Sequence, residues 1–217
     1  MRIVVTALLA WMAVSGVAQA QTGSASDPTG RGYVEGIAQS AFGNATSQSY
    51  GAEAGVTVFP NVQLFVEAGR LANAAPSTFG ASAAVMAGYL SQTQSNVTFG
   101  AKEPITFGLA GLRYVFPASG KLEPYVLAGG GVARVQKNAT FAVGGSDVTG
   151  NLSQYNVVLG TDLSGSENSA MLSLGGGVMW TVRTRIVLDL QYRYGRVFAA
   201  GQGINVNRAG AGIGVRF

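Results

Sequence analysis

The sequence predicts an all-β fold: an eight-stranded antiparallel transmembrane β-barrel with a short helix in the loop between strands three and four. Three observations predict it. Eight segments alternate polar and apolar side chains with period two. Their connections alternate between short turns and longer loops, the arrangement of barrels that thread a bilayer. Only 11% of the 217 residues are charged while 32 are glycine. Beyond the first 20 residues, no run approaches the ~18 consecutive apolar residues of a spanning helix.

The chain opens with MRIVVTALLAWMAVSGVAQA. One charge, Arg2, precedes an apolar run over residues 3–14, and Ala18-Gln19-Ala20 reads as a small-residue cleavage site. This layout predicts a signal peptide over residues 1–20, cleaved after Ala20, and hence export. Residues 21–30 are rich in Ser, Thr and Gly and predict a flexible N-terminus. One barrel domain over residues 31–217 accounts for the rest.

Composition narrows the chemistry. Without cysteine, the exported domain has no disulfides to staple it, and closure of a sheet in lipid is an alternative source of stability. Without histidine, neither an imidazole base nor a His metal site is available. No nucleophile with a positioned base stands out, so the sequence predicts neither an enzyme nor a bound cofactor or metal. The formal charge is +4 with no Lys/Arg run, which gives no nucleic-acid footprint.

The eight strands are expected at residues 32–41, 49–59, 62–70, 105–116, 124–136, 171–182, 186–197 and 204–217. Short turns join the second to the third through Pro60-Asn61, the fourth to the fifth through residues 117–123, and the sixth to the seventh through residues 183–185. Two long loops span residues 71–104 and 140–170. In the first, residues 78–92 carry Phe79, Ala83, Met86 and Leu90 at helical spacing. That predicts a helix starting near Pro76-Ser77-Thr78 and covering the barrel mouth. In the second, Tyr155, Val157, Val158 and Leu159 suggest a strand extension.

Successive side chains on a strand face opposite ways, so polar residues of one parity mark one face. Asp189, Gln191 and Arg193 oppose Leu188, Leu190, Tyr192 and Tyr194. Arg208 and Arg216 oppose Ala211, Ile213, Val215 and Phe217. A barrel in lipid must turn its apolar face outward. The charges expected inside are Glu35, Glu53, Glu67, Asp189, Arg113, Arg134, Arg193, Arg208 and Arg216. Arg70, Arg196 and Asn207 fall off-parity, near the loop ends of their strands. An eight-stranded interior is only wide enough to be filled by side chains, and buried charge is costly unless paired. The near-balance of acids and arginines therefore predicts a lumen plugged by Arg–carboxylate pairs. Gly129-Gly130-Gly131 and Gly175-Gly176-Gly177 lie within strands, where glycine leaves room for curvature and long side chains.

The last strand closes on Gly212-Ile-Gly214-Val-Arg-Phe217, an alternating segment with a final aromatic. At Gly212, Val215 and Phe217 it resembles the last-strand signal of bacterial outer-membrane proteins, with aliphatic Val215 where an aromatic is usual. With the signal peptide and the strand pattern, the chain is similar to the outer-membrane β-barrel family of OmpA/OmpX-type, OmpW-like and opacity-type small barrels. The resemblance implies residence in the cell outer membrane, contact with its lipid, and insertion by the barrel-assembly machinery. It implies a structural or surface-interaction role; the alternative is a passive transport barrel for small or hydrophobic solutes.

Overall fold

The computed structural model describes residues 32–118, 120–199 and 202–217. The expected signal peptide, its cleavage site and the flexible segment lie outside the described residues. In chain order the elements are β1 (Gly32–Gly43), β2 (Ser47–Phe59), β3 (Val62–Leu71), α1 (Ser77–Leu90), β4 (Val97–Lys102) and β5 (Ile105–Val115). There follow β6 (Leu122–Val143), β7 (Ser146–Asp147), a 3-10 segment (Thr149–Tyr155), β8 (Ser164–Thr181), β9 (Ile186–Ala199) and β10 (Gln202–Arg216). No helix among the described residues is long and apolar enough to cross a membrane.

Eight strands close a ring in the order β1, β2, β3, β5, β6, β8, β9, β10, all antiparallel. β10 returns to β1 with Tyr33 opposite Arg216 and Gly43 opposite Val206. The eight expected strands are these eight. The β2–β3 turn is tight because Asn61 adopts a left-handed φ of 64°, a conformation Asn tolerates well.

The structure departs from expectation on the loop side. β6 continues to Val143, and β8 starts at Ser164. Beyond the expected strands, residues such as Lys137, Asn138, Ser164 and Ser166 blur the two-faced alternation that marked the wall. β4 continues β5: Lys102 pairs with Asn138 and Ile105 with Val135, the same register on β6. Pro104, which lacks an N–H, interrupts the strand, but its carbonyl still accepts Gln136 N at 3.0 Å. Gly144 and Gly145, both at positive φ, turn β6 into β7 through a two-residue hairpin. Residues 155–159, expected as a strand extension, end the 3-10 segment and continue as loop. Val157 there is buried against Phe141 and Leu163.

Helix α1 falls within two residues of expectation. It buries Phe79, Ala83, Ala87 and Leu90 against Ala139, Phe141, Leu152 and Leu163. Ala139 and Phe141 share the odd parity of the lumen-facing residues of β6. The helix thus sits on the inward side of the wall's extension, with Val85 and Tyr89 exposed. Its entry is knotted by Asn73, whose Oδ1 accepts Ala75 N at 3.0 Å and Glu103 N at 2.9 Å.

Below the loop end, where Arg70, Arg134 and Arg196 stand exposed, the outward residues of the ring are mostly apolar, with aromatic residues towards both ends. Phe42, Tyr50 and Phe198 stand at the loop end, and Phe59, Tyr114, Trp180 and Phe217 at the turn end. Inside, an apolar layer including Phe107, Val135, Val197 and Ile204 lies towards the loops. Another, including Phe65, Leu127, Met179 and Val187, lies towards the turns. Charged residues fill the space between.

Candidate functional site in the barrel lumen

Eight of the nine residues expected inside face the lumen. Glu35, Glu53, Glu67, Asp189, Arg113, Arg193, Arg208 and Arg216 are each at most 6% exposed. Arg134 does not join them. Inward positions on β6 are odd-numbered, as Tyr125, Leu127, Ala133 and Val135 show, so Arg134 points outward. It is exposed and donates to Ser166 Oγ at 3.1 Å. Its expected phase was one residue out on a strand whose glycines carry no facial signal.

The inward charges form an alternating chain. Arg208 Nη1 donates to Glu67 Oε1 at 2.9 Å, and Arg193 Nη1 to Glu67 Oε2 at 2.7 Å. Arg193 also pairs with Glu53, whose other oxygen takes Arg113 Nη2. Arg113 lies 3.7 Å from Glu35 and 3.9 Å from Asp189. Gln191 ties the chain together, donating to Asp189 Oδ2 at 3.2 Å and accepting from Arg193 Nε. At the turn end, Arg216 grips Glu123 with two nitrogens and reaches Met179 Sδ at 3.0 Å.

Each of the three central guanidinium groups lies over an aromatic ring, and each ring lies over a glycine. Arg113 sits between Tyr125, 3.9 Å from the ring centroid, and Tyr33 at 4.6 Å. Arg208 lies over Phe107 at 4.6 Å and Arg193 near Phe65 at 5.8 Å. Directly opposite these rings on the neighbouring strands are Gly177, Gly55, Gly69 and Gly111. A Cβ at Gly177 would come within 2.7 Å of the Tyr125 hydroxyl, and one at Gly69 within 2.6 Å of the Phe107 ring. Glycine lets the ring fold down against the wall and become a floor for the charge above it. Both tyrosines also hold an acid: Tyr33 donates to Glu53 Oε1 and Tyr125 to Asp189 Oδ2, each at 2.6 Å.

Gln39, which shares the parity of Glu35 in the sequence, is buried in the lumen with it, whereas sequence reasoning missed Tyr33, Tyr125 and Glu123 as lumen residues. Glu123 shares the odd parity of Tyr125 and Leu127 and was legible, had strand five been started before Pro124. The tyrosines resemble wall aromatics until the register sets them opposite glycine. Of the three last-strand positions, Val215 and Phe217 face outward and exposed. Gly212 faces inward, where a Cβ would stand 2.9 Å from Glu35 Oε2. Among the described residues, no cluster of His, Cys, Asp and Glu could hold a metal ion.

No protein-family model matches the chain, and no curated protein matches it either. Solved structures do. Neisserial surface protein A aligns with TM-score 0.52 and 18% identity, over 86% of this chain and 96% of that one. The fold is that of the small bacterial outer-membrane β-barrels. A major outer membrane protein from Thermus thermophilus aligns equally well, with TM-score 0.52 and 11% identity, over 86% of this chain and 98% of that one. At these identities the likeness is one of fold.

Proposed function

We propose that this chain is an integral protein of the bacterial outer membrane with a structural or surface-interaction role, its lumen closed by Arg–carboxylate pairs. The carrying observation is the inside-out charge distribution. Every acid on the ring strands faces inward, while the outer wall below its loop end is mostly apolar, with aromatic residues towards each end. That arrangement suits a wall solvated by hydrocarbon and flanked by interfaces. Two apolar layers bracket the charged chain, and the guanidinium groups are filled in by rings rather than left facing open space. Specific contacts then belong to the loop-side extension and helix α1. Delivery by the barrel-assembly machinery, with Gly212, Val215 and Phe217 as its signal, is part of the same reading.

The experiment is twofold. Expressed with its leader, the protein should appear in outer-membrane fractions and migrate differently on gels before and after boiling. Reconstituted in planar bilayers, it should be electrically silent. Recovery only in soluble periplasm would overturn the membrane reading, and stable unit conductance would overturn the closed lumen. The passive-transport alternative has one observation in its favour. Several buried polar atoms, including those of Glu35, Gln39 and Arg208, lack hydrogen-bond partners among the described residues, as they would where water enters.

A further inference from the structure

The charges of the ring sort by face more sharply than closure of a lumen requires. Glu35, Glu53, Glu67, Glu123, Glu167 and Asp189 all sit at inward parity. The outward charges on the described strands of the wall and its β4 continuation are all cations: Arg70, Lys102, Arg134 and Arg196, each exposed. All four lie towards the loop end, above the apolar band.

Two of these cations are placed together by register. Arg70 on β3 is directly opposite Thr106 on β5, and Thr106 is directly opposite Arg134 on β6. Two strand spacings, roughly 9–10 Å, separate the arginine backbones, with the exposed Thr106 between them. Lys102 lies four residues further towards the loops on the same outward line. One step below, Ala68, Gly108 and Val132 stand side by side in the same register, and Val66, Ala110 and Gly130 below those. A ligand that met both arginines would have its other end against this apolar wall.

We propose that Arg70, Thr106 and Arg134 form a binding site on the lipid-facing wall for a phosphate-bearing glycolipid of the outer leaflet, one of the lipid A class. Guanidinium forks match phosphate oxygens bidentately, and long side chains on either side of Thr106 can converge on one phosphate. Arg134 now donates to Ser166 Oγ, a single exposed hydrogen bond that a phosphate would replace with a charge-assisted one. The wall below takes the acyl chains. No outward carboxylate on the ring strands competes for the arginines. A soluble anion would gain nothing from the apolar wall, so the site favours a phosphate carried on a lipid.

This inference rests on the outer-membrane reading, and its test separates the two. The refolded barrel is placed in zwitterionic nanodiscs doped with bisphosphorylated lipid A, and lipid retention is measured by native mass spectrometry. Boiling-dependent gel mobility is read in parallel to verify the folded barrel. The double substitution Arg70→Gln, Arg134→Gln should keep that mobility and lower lipid A retention roughly thirtyfold, since each of the two basic residues at a membrane surface contributes about 1 kcal/mol. Arg183→Gln with Arg185→Gln, at the turn end, should retain lipid A as the parent does. Lysine at positions 70 and 134 should restore part of the binding. Undiminished retention by the double variant, equal retention of dephosphorylated lipid A, or displacement by millimolar inorganic phosphate would overturn the site while leaving the membrane reading standing. Failure of the parent protein to enter the nanodiscs would overturn the membrane reading itself.

Discussion

Tyr125 lies over Gly177, its directly opposed neighbour on β8, with the Arg113 guanidinium 3.9 Å above the ring centroid. A side chain at position 177 would lift the ring, separating it from both Arg113 and Asp189. Gly177→Val should therefore destabilise the barrel by about 2–4 kcal/mol, combining overpacking with a weakened cation–π contact. The check is the urea midpoint of unfolding from detergent or liposomes. Gly108→Val, where an added Cβ meets nothing within 4 Å, should move that midpoint far less.

Glu67 is the one acid held by both Arg193 and Arg208. Glu67→Gln leaves two buried guanidinium groups short of a counter-charge, and removing one partner of a buried pair costs about 3–5 kcal/mol. Arg216→Gln, acting at the turn-end rim where Glu123 keeps some access to solvent, should cost less. Equal losses in the two variants would show that burial along the chain does not grade its contribution.

The outer wall offers a test of which solvent it faces. Leu190 is 68% exposed and lies between Val178 and Ala211 in register. In a bilayer, Leu190→Arg should cost about 2–4 kcal/mol if the residue lies near the midplane. In water the same change would be close to neutral. Unfolding measured from liposomes distinguishes the two.

Glu103 stands above the ring, on the loop side of Thr106. Its side chain is buried, and neither carboxylate oxygen has a hydrogen-bond partner among the described residues. Burial pushes its carboxyl up to about 6; Lys137 opposes the shift and Glu167 adds to it. A carboxyl whose folded value is raised favours the folded state at low pH, and that contribution is lost as pH rises through the folded value. The extension should thus loosen between about pH 4.5 and pH 6, by about 2 kcal/mol at most. Hydrogen exchange at Lys102, Asn138 and Ala139 should report it, and Glu103→Gln should flatten the dependence. Identical protection factors at pH 4.5 and pH 7 in the parent protein, after correction for the intrinsic pH dependence of exchange, would refute it.

The ring was legible because a two-sided wall writes its environment into alternate residues. Asp189, Gln191 and Arg193 against Leu188, Leu190 and Tyr192 settle a face without any knowledge of neighbours. Legibility failed where that contrast fades. Residues 137–143 and 164–170 lie past the apolar band, so their strand character rests on backbone pairing that composition does not advertise. Arg134 was misplaced because Gly129, Gly130 and Gly131 interrupt the pattern below it. The aromatic–glycine floors needed register, since Tyr125 and Gly177 are brought together only by pairing of β6 with β8. Residues 155–159 misled in the other direction: a short apolar run served to bury a loop against Phe141 rather than to extend a strand.

With the wall placed in the outer membrane as proposed, the unbroken run of β6 from wall to hairpin has a consequence for presentation at the cell surface. Nine residues separate Arg134 from Val143, about 30 Å of extended chain, and strand tilt still leaves the Gly144-Gly145 turn roughly 20 Å above the headgroups. That turn is the tip of a stiff mast rather than a floppy loop. A peptide epitope spliced there should be held clear of short surface sugars and seen by antibody on intact cells, with the staves below undisturbed.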